Sequence, residues 1–197
     1  MTNDQNIPDQ SAAILEWSEA IEQDPDDAFA YYNRAIAYKL DRKYGRAIAD
    51  LKKAIDVEPD EARFYFERGD VHTRRSDFKR ALADYGKVME LDSHWASAYG
   101  YLGYAFYRRH DYDSAITACS EAIKLAPYDG YFHFVLGSAY LEKGDYAIAI
   151  ERLTEAIELG HDVAITYKHR GDAYKATRDR ASADADYAKA RELGYWN

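Results

Sequence analysis

Residues 99–127 read YGYLGYAFYRRHDYDSAITACSEAIKLAP, and their spacing decides the fold. Tyr99 and Phe106 stand seven residues apart, two helical turns, and so do Ala115 and Ala122 further along. Between the two pairs, RHDY at 109–112 supplies a turn whose aspartate suits the N-cap of a following helix. The stretch predicts helix, tight turn, helix, with a small-residue stripe on the second helix that lets the first approach closely.

Steps of 34 residues in either direction bring like under like. The aromatic positions recur as Tyr31, Tyr65, His133 and Tyr167, and as Tyr38, His72, Tyr140 and Tyr174. The small positions recur as Ala47, Ala81, Ala149 and Ala183, and as Ala54, Val88, Ala156 and Ala190. Turns return as DRKY at 41, RSDF at 75 and KGDY at 143, where Gly144 suits a helix end. Two Arg-Gly-Asp tripeptides, in YFERGDVH (65–72) and YKHRGDAY (167–174), lie three such steps apart. Their glycines belong to a column of Gly69, Gly103, Gly137 and Gly171, with Ala35 ahead of them, where two helices are expected to touch. The tripeptide is thus a by-product of the repeat and not an adhesion signal. Arg68 and Arg170 are expected to lay their stems over the core and pair with a nearby carboxylate.

The pattern resembles the tetratricopeptide repeat family in its period, its Leu-Gly pairs at Leu102-Gly103 and Leu136-Gly137, and its closing prolines at Pro59 and Pro127. Arg34, Arg68 and Arg170 depart from the family's leucine, and Ser93, His161 and Tyr195 from its proline. The resemblance implies an all-α, right-handed superhelical solenoid of antiparallel helix pairs. Its repeats would span 28–61, 62–95, 96–129, 130–163 and 164–197, after a flexible tail over 1–10 and a capping helix over 11–24.

A hydrophobic content of 47% in 197 residues is ample for a sizeable core. The N-terminal MTNDQNIPDQ has neither a basic residue nor an apolar run, so no targeting segment is read there, and no stretch is long enough to cross a bilayer. One cysteine excludes an internal disulfide and suits a reducing compartment, so a soluble, cytoplasmic protein is expected. Of the net charge of −9, eight acidic residues precede the first basic one, Arg34, leaving 26 basic and 27 acidic residues beyond them. That balance disfavours indiscriminate nucleic-acid binding. Metal-ligand spacing of the HExxH kind, a phosphate loop and a nucleophile elbow are all missing from the sequence. Cys119 shares a column with Leu51, Tyr85, Leu153 and Tyr187, which marks it as a buried structural thiol. Neither catalytic residues, a metal site nor a cofactor is assigned.

The family resemblance implies that stacked first helices present a concave face that binds peptide segments of partner proteins. The residues left over from the packing columns are its candidates: Phe29, Tyr32 and Lys39; Arg63, Phe66 and Arg74; Tyr104, Tyr107 and Arg108; Tyr131 and Phe134; Lys168 and Lys175. Gly100 and Asp70 fall on the same positions. Aromatic rings with arginines are the composition of binding hot spots, and repeats 2 to 4 are the expected centre. Co-chaperone members hold a terminal carboxylate with Lys, Asn and Arg, but positions such as Tyr32, Ile36, Glu67, Ser97 and Tyr101 do not supply that clamp. The expectation is a non-enzymatic adaptor or scaffold for an unidentified protein or peptide. The alternatives are an assembly protein acting through its convex face or self-association, and RNA binding by the groove. Arg180, Asp184 and Arg191 stand where earlier second helices are apolar, so the last helix is expected to cap the array and keep the chain monomeric.

Overall fold

The computed structural model describes residues 10–195, and the expectation of a flexible tail falls almost wholly outside them. Among the described residues there are eleven α-helices and no strands. After α1 (Ser11–Gln23) they run in pairs: α2 (Ala28–Leu40) with α3 (Tyr44–Val57), α4 (Ala62–Arg74) with α5 (Phe78–Leu91), and α6 (Ala96–Arg108) with α7 (Tyr112–Leu125). Then come α8 (Gly130–Lys143) with α9 (Tyr146–Glu158), and α10 (Ala164–Ala176) with α11 (Arg180–Glu192). First helices start at 28, 62, 96, 130 and 164 and second helices at 44, 78, 112, 146 and 180, so the 34-residue step governs both. The chain is an all-α solenoid, divided into two compact units, residues 1–93 and 94–197.

Within each pair the small stripe is where the helices meet. Ala47, Ala54, Ala81, Val88, Ala115, Ala122, Ala149 and Ala156 are fully buried. The glycine column sits against the residue sixteen positions on. A Cβ on Gly69 would lie 2.7 Å from the Tyr85 ring, and one on Gly103 only 2.4 Å from Cys119 Sγ, so a side chain has no room there. Cys119 is fully buried, and burial pushes its thiol pKa up to about 12, as a structural role requires.

The turns share one conformation. Arg42, Ser76, His110, Gly144 and Arg178, each 34 residues from the next, all take positive φ, from 55° at Arg42 to 86° at Gly144. The following N–H bonds back to the first helix, as Asp77 to His72 O at 2.9 Å and Asp179 to Tyr174 O at 3.0 Å, which closes the helix end. Asp77, Asp111 and Asp179 then cap the second helices by accepting from Arg80, Ser114 and Ser182, whereas Asp145 makes no side-chain cap. Arg180, Asp184 and Arg191 are exposed on α11.

The arginines ahead of the glycine column find their carboxylates. Arg34 grips Asp50, Arg68 grips Asp84 and Arg170 grips Asp186, each between the two helices of one pair. In the Arg-Gly-Asp tripeptides the aspartates are also engaged: Asp70 by Lys39 and Arg74, Asp172 by Lys168 and the Tyr187 hydroxyl.

Candidate functional site

In the first unit the candidate residues lie on α2 and α4. Phe29 and Tyr32 set their rings 5.4 and 5.3 Å from that of the buried Phe64. Arg63 lies 5.0 Å over the Phe29 ring and forms a two-point pair with Glu61. Lys39 is nearly withdrawn from water, yet Glu67 and Asp70 both accept from it, and together they outweigh the desolvation and raise its pKa. Asp70 also accepts from Arg74 Nε at 3.1 Å. Phe66 packs its ring 5.9 Å from Tyr85. Positive charge is therefore balanced in this unit: Lys39, Arg63 and Arg74 each face a carboxylate.

In the second unit the tyrosines gather. Tyr131 of α8 lies 6.2 Å from Tyr104 and 5.5 Å from Tyr101, both on α6, and Tyr107 continues the cluster 6.5 Å from Tyr104. Arg108 donates from Nη1 to the Tyr104 hydroxyl at 2.7 Å and places its guanidinium 5.6 Å from the centre of that ring. Burial, with Glu142 nearby, pushes the Tyr107 pKa up to about 12, so its hydroxyl remains a donor throughout the physiological range. Tyr107, Arg108, His110, Tyr112 and Glu142 line a cleft of about 280 Å³. The rings are half-buried and offer both apolar face and hydroxyl.

Two candidate positions need correction. Phe134 is buried, held between His161 at 4.8 Å and His169, which stacks on it at 5.7 Å and 15°. It forms the wall behind the cluster. Gly100 is covered by Phe132 of α8, whose ring leaves no space even for a Cβ, 2.1 Å away. Further along, Lys168 pairs with Asp172 at 2.6 Å, while Lys175 is exposed at the end of α10. Tyr101, His110 and Tyr112 join the cluster or cleft although the sequence did not single them out as surface. Among the described residues no group of three or more His, Cys, Asp or Glu could hold a metal ion, and no helix is long and apolar enough to cross a membrane.

Four tetratricopeptide repeat profiles match the chain, over residues 17–49, 39–94, 96–129 and 131–159. The chain belongs to the tetratricopeptide repeat family. Solved structures agree on the fold. YrrB, described as a TPR protein with an unusual peptide-binding site, is 21% identical with a TM-score of 0.73, over 92% of this chain and 94% of that one. MamA of Desulfovibrio magneticus RS-1 is 22% identical with a TM-score of 0.76, over 84% and 94%. The Cut9–Hcn1 hetero-tetramer of APC/C is 18% identical with a TM-score of 0.81, over 94% of this chain but 37% of the matched one. No curated protein matches. At these identities the likeness is one of tetratricopeptide architecture.

Proposed function

We propose that this tetratricopeptide protein is a non-enzymatic scaffold that holds a peptide segment of a partner protein against α6 and α8. The observation that carries this reading is the half-buried cluster of Tyr101, Tyr104, Tyr107 and Tyr131 with Arg108 at its edge. Rigid rings with polar tips bury large area at small entropic cost, which is what a peptide-recognition surface needs. Family membership supports a protein partner, since helix-pair solenoids present extended surfaces of this kind. YrrB has a peptide-binding site on the same architecture. The neutralised charges of Lys39, Arg63, Arg74 and Lys168 weigh against the RNA alternative, which depends on unpaired cations along a backbone-tracking groove. Functional residues are accordingly placed at Tyr104, Tyr107, Arg108 and Tyr131, with Phe134 as support.

The test is a peptide-display selection on the intact chain, repeated on a Tyr104→Ala/Tyr107→Ala/Arg108→Ala variant. Peptides that bind the parent, cross-link to α6 or α8, and lose affinity by roughly 30-fold or more in the variant, about 2 kcal/mol, are the expected result. Selected peptides that bind both proteins equally would remove the tyrosine cluster from the reading.

A further inference from the structure

Three of the five helix pairs keep an arginine of their own at one place between first and second helix. It comes from the first helix and lies beside aromatic rings. Arg34 sits 5.8 Å from the Tyr31 ring and 5.9 Å from Tyr38 while it grips Asp50. Arg170 sits 5.6 Å from Tyr167 and 5.9 Å from Tyr174 while it grips Asp186. Arg68 lies 5.5 Å from Tyr65 and grips Asp84. In α8–α9 Leu136 stands in the arginine column and Arg152 in the aspartate column, where Arg152 shares Glu155 Oε2 with His133, at 2.7 and 2.9 Å.

The α6–α7 pair keeps the rings and lacks the arginine. Tyr99 and Phe106 occupy the two aromatic positions, but Leu102 stands in the arginine column and Ala118 in the aspartate column. There the structure has an open cleft of about 370 Å³, lined by Tyr99, Leu102, Phe106, Ala118 and the polar side chains of α7. Its size is within the usual range of small-ligand sites, about 300 to 1,000 Å³. The α7 side supplies Glu121, one 34-residue step before the Glu155 that holds Arg152, together with Asp113 and the hydroxyls of Ser114 and Thr117. Among the described residues Glu121 pairs with Lys124 at 2.6 Å, in an exposed pair of the sort that contributes little and yields to a better donor.

We propose that this cleft takes the arginine side chain of a partner polypeptide. The guanidinium would lie against Tyr99 and Phe106 and donate to Glu121, in place of the internal arginine that α2–α3, α4–α5 and α10–α11 carry. A planar cation that stacks on rings and donates in a fork fits an aromatic slot with a carboxylate at its rim, and a lysine ammonium fits it less well. The site is separate from the tyrosine cluster, because Tyr99, Leu102 and Phe106 lie on another face of α6 from Tyr104 and Tyr107.

The probe is N-acetyl-arginine methylamide, titrated into the intact chain and followed by the ring resonances of Tyr99 and Phe106. Saturable shifts with a Kd on the order of 1 mM are expected. The lysine analogue should bind several-fold more weakly, and the neutral citrulline analogue should not bind. The pair Leu102→Arg with Ala118→Asp rebuilds the internal filling seen in three of the other pairs, so the variant should keep its helicity and lose the probe. Glu121→Gln changes a surface position and should weaken binding at least threefold, which keeps the test decisive if the double variant misfolds. The proposal is overturned by silence of both rings at tens of millimolar probe, or by equal binding of citrulline. Undiminished binding in either variant overturns it as well. A concentration-dependent dimer abolished by the double variant would make the occupant a second copy of the chain and overturn the partner assignment.

Discussion

Arg34 donates from Nε and Nη2 to the two carboxylate oxygens of Asp50, 2.7 and 2.9 Å away, while Nη1 reaches Ser18 Oγ at 3.1 Å. One guanidinium thereby joins three helices, α1, α2 and α3. Arg170 repeats the arrangement with Asp186 and Thr154, joining α9, α10 and α11. Each guanidinium nitrogen has a partner and the aspartates are nearly buried, so the pair is a packing element more than a surface charge.

Removal of one partner should therefore cost far more than removal of both. Arg170→Leu strands Asp186 and is expected to cost about 2 to 3 kcal/mol of stability. Adding Asp186→Ala recreates the combination already present at Leu102 and Ala118, and should recover most of that loss. Urea unfolding of the two variants checks this, and equal losses would refute it.

The left-handed turn position makes a second prediction with a sign that depends on the residue. Ser76 is exposed at φ 58°, so Ser76→Gly should stabilise by up to about 1 kcal/mol, while Gly144→Ala at φ 86° should destabilise by about 1 kcal/mol. Paired thermal melts read both changes.

His169 gives the pH dependence. It is buried against Phe134, accepts or donates one bond with Ser138 Oγ, and desolvation lowers its pKa to about 4, with Lys168 adding to the effect. The unfolded chain takes up a proton near pH 6.5 and the folded chain only near 4, so between those values the unfolded state binds more protons and stability falls as pH falls. The loss approaches about 3 kcal/mol at the lower limit. His169→Gln keeps a hydrogen-bonding side chain beside Ser138 and should flatten the slope between pH 6.5 and 4.5, where denaturation midpoints can be compared at each pH.

Wall and surface in the tyrosine region should separate on mutation. Phe134→Ala opens a cavity behind the cluster and is expected to cost about 3 kcal/mol of stability. Tyr104→Ala should leave the melting temperature within a few degrees and act on peptide binding by about 2 kcal/mol. A Phe134→Ala protein as stable as the parent would place that ring at the surface after all.

The helix pairs were legible in the sequence because each packing column repeats at one spacing, so Ala47, Ala81 and Ala115 reinforce one another. The need of Arg68 for a carboxylate was legible too, although its identity as Asp84 was not singled out. That partner is visible in hindsight: aspartate appears sixteen residues after Arg34, Arg68 and Arg170 and is replaced where Leu102 and Leu136 stand. The charge of the candidate surface was not legible, because Lys39 is neutralised by Glu67 and Asp70 on the next first helix, 28 and 31 residues away. Phe134 read as surface for a similar reason. What covers it are His161, in a loop, and His169, on a later helix, and neither is implied by its own helical face.

The single thiol turns one packing contact into a clock. Cys119 is sealed beneath Gly103, and its high pKa leaves almost no thiolate in the closed state, so a disulfide reagent can react only when α6 lifts from α7. No other cysteine competes for the reagent. Labelling rates under native conditions therefore report the opening free energy of the second unit alone, while amide exchange in α2 and α3 reports the first. Comparing the two shows whether the array unzips in parts or opens as one cooperative body.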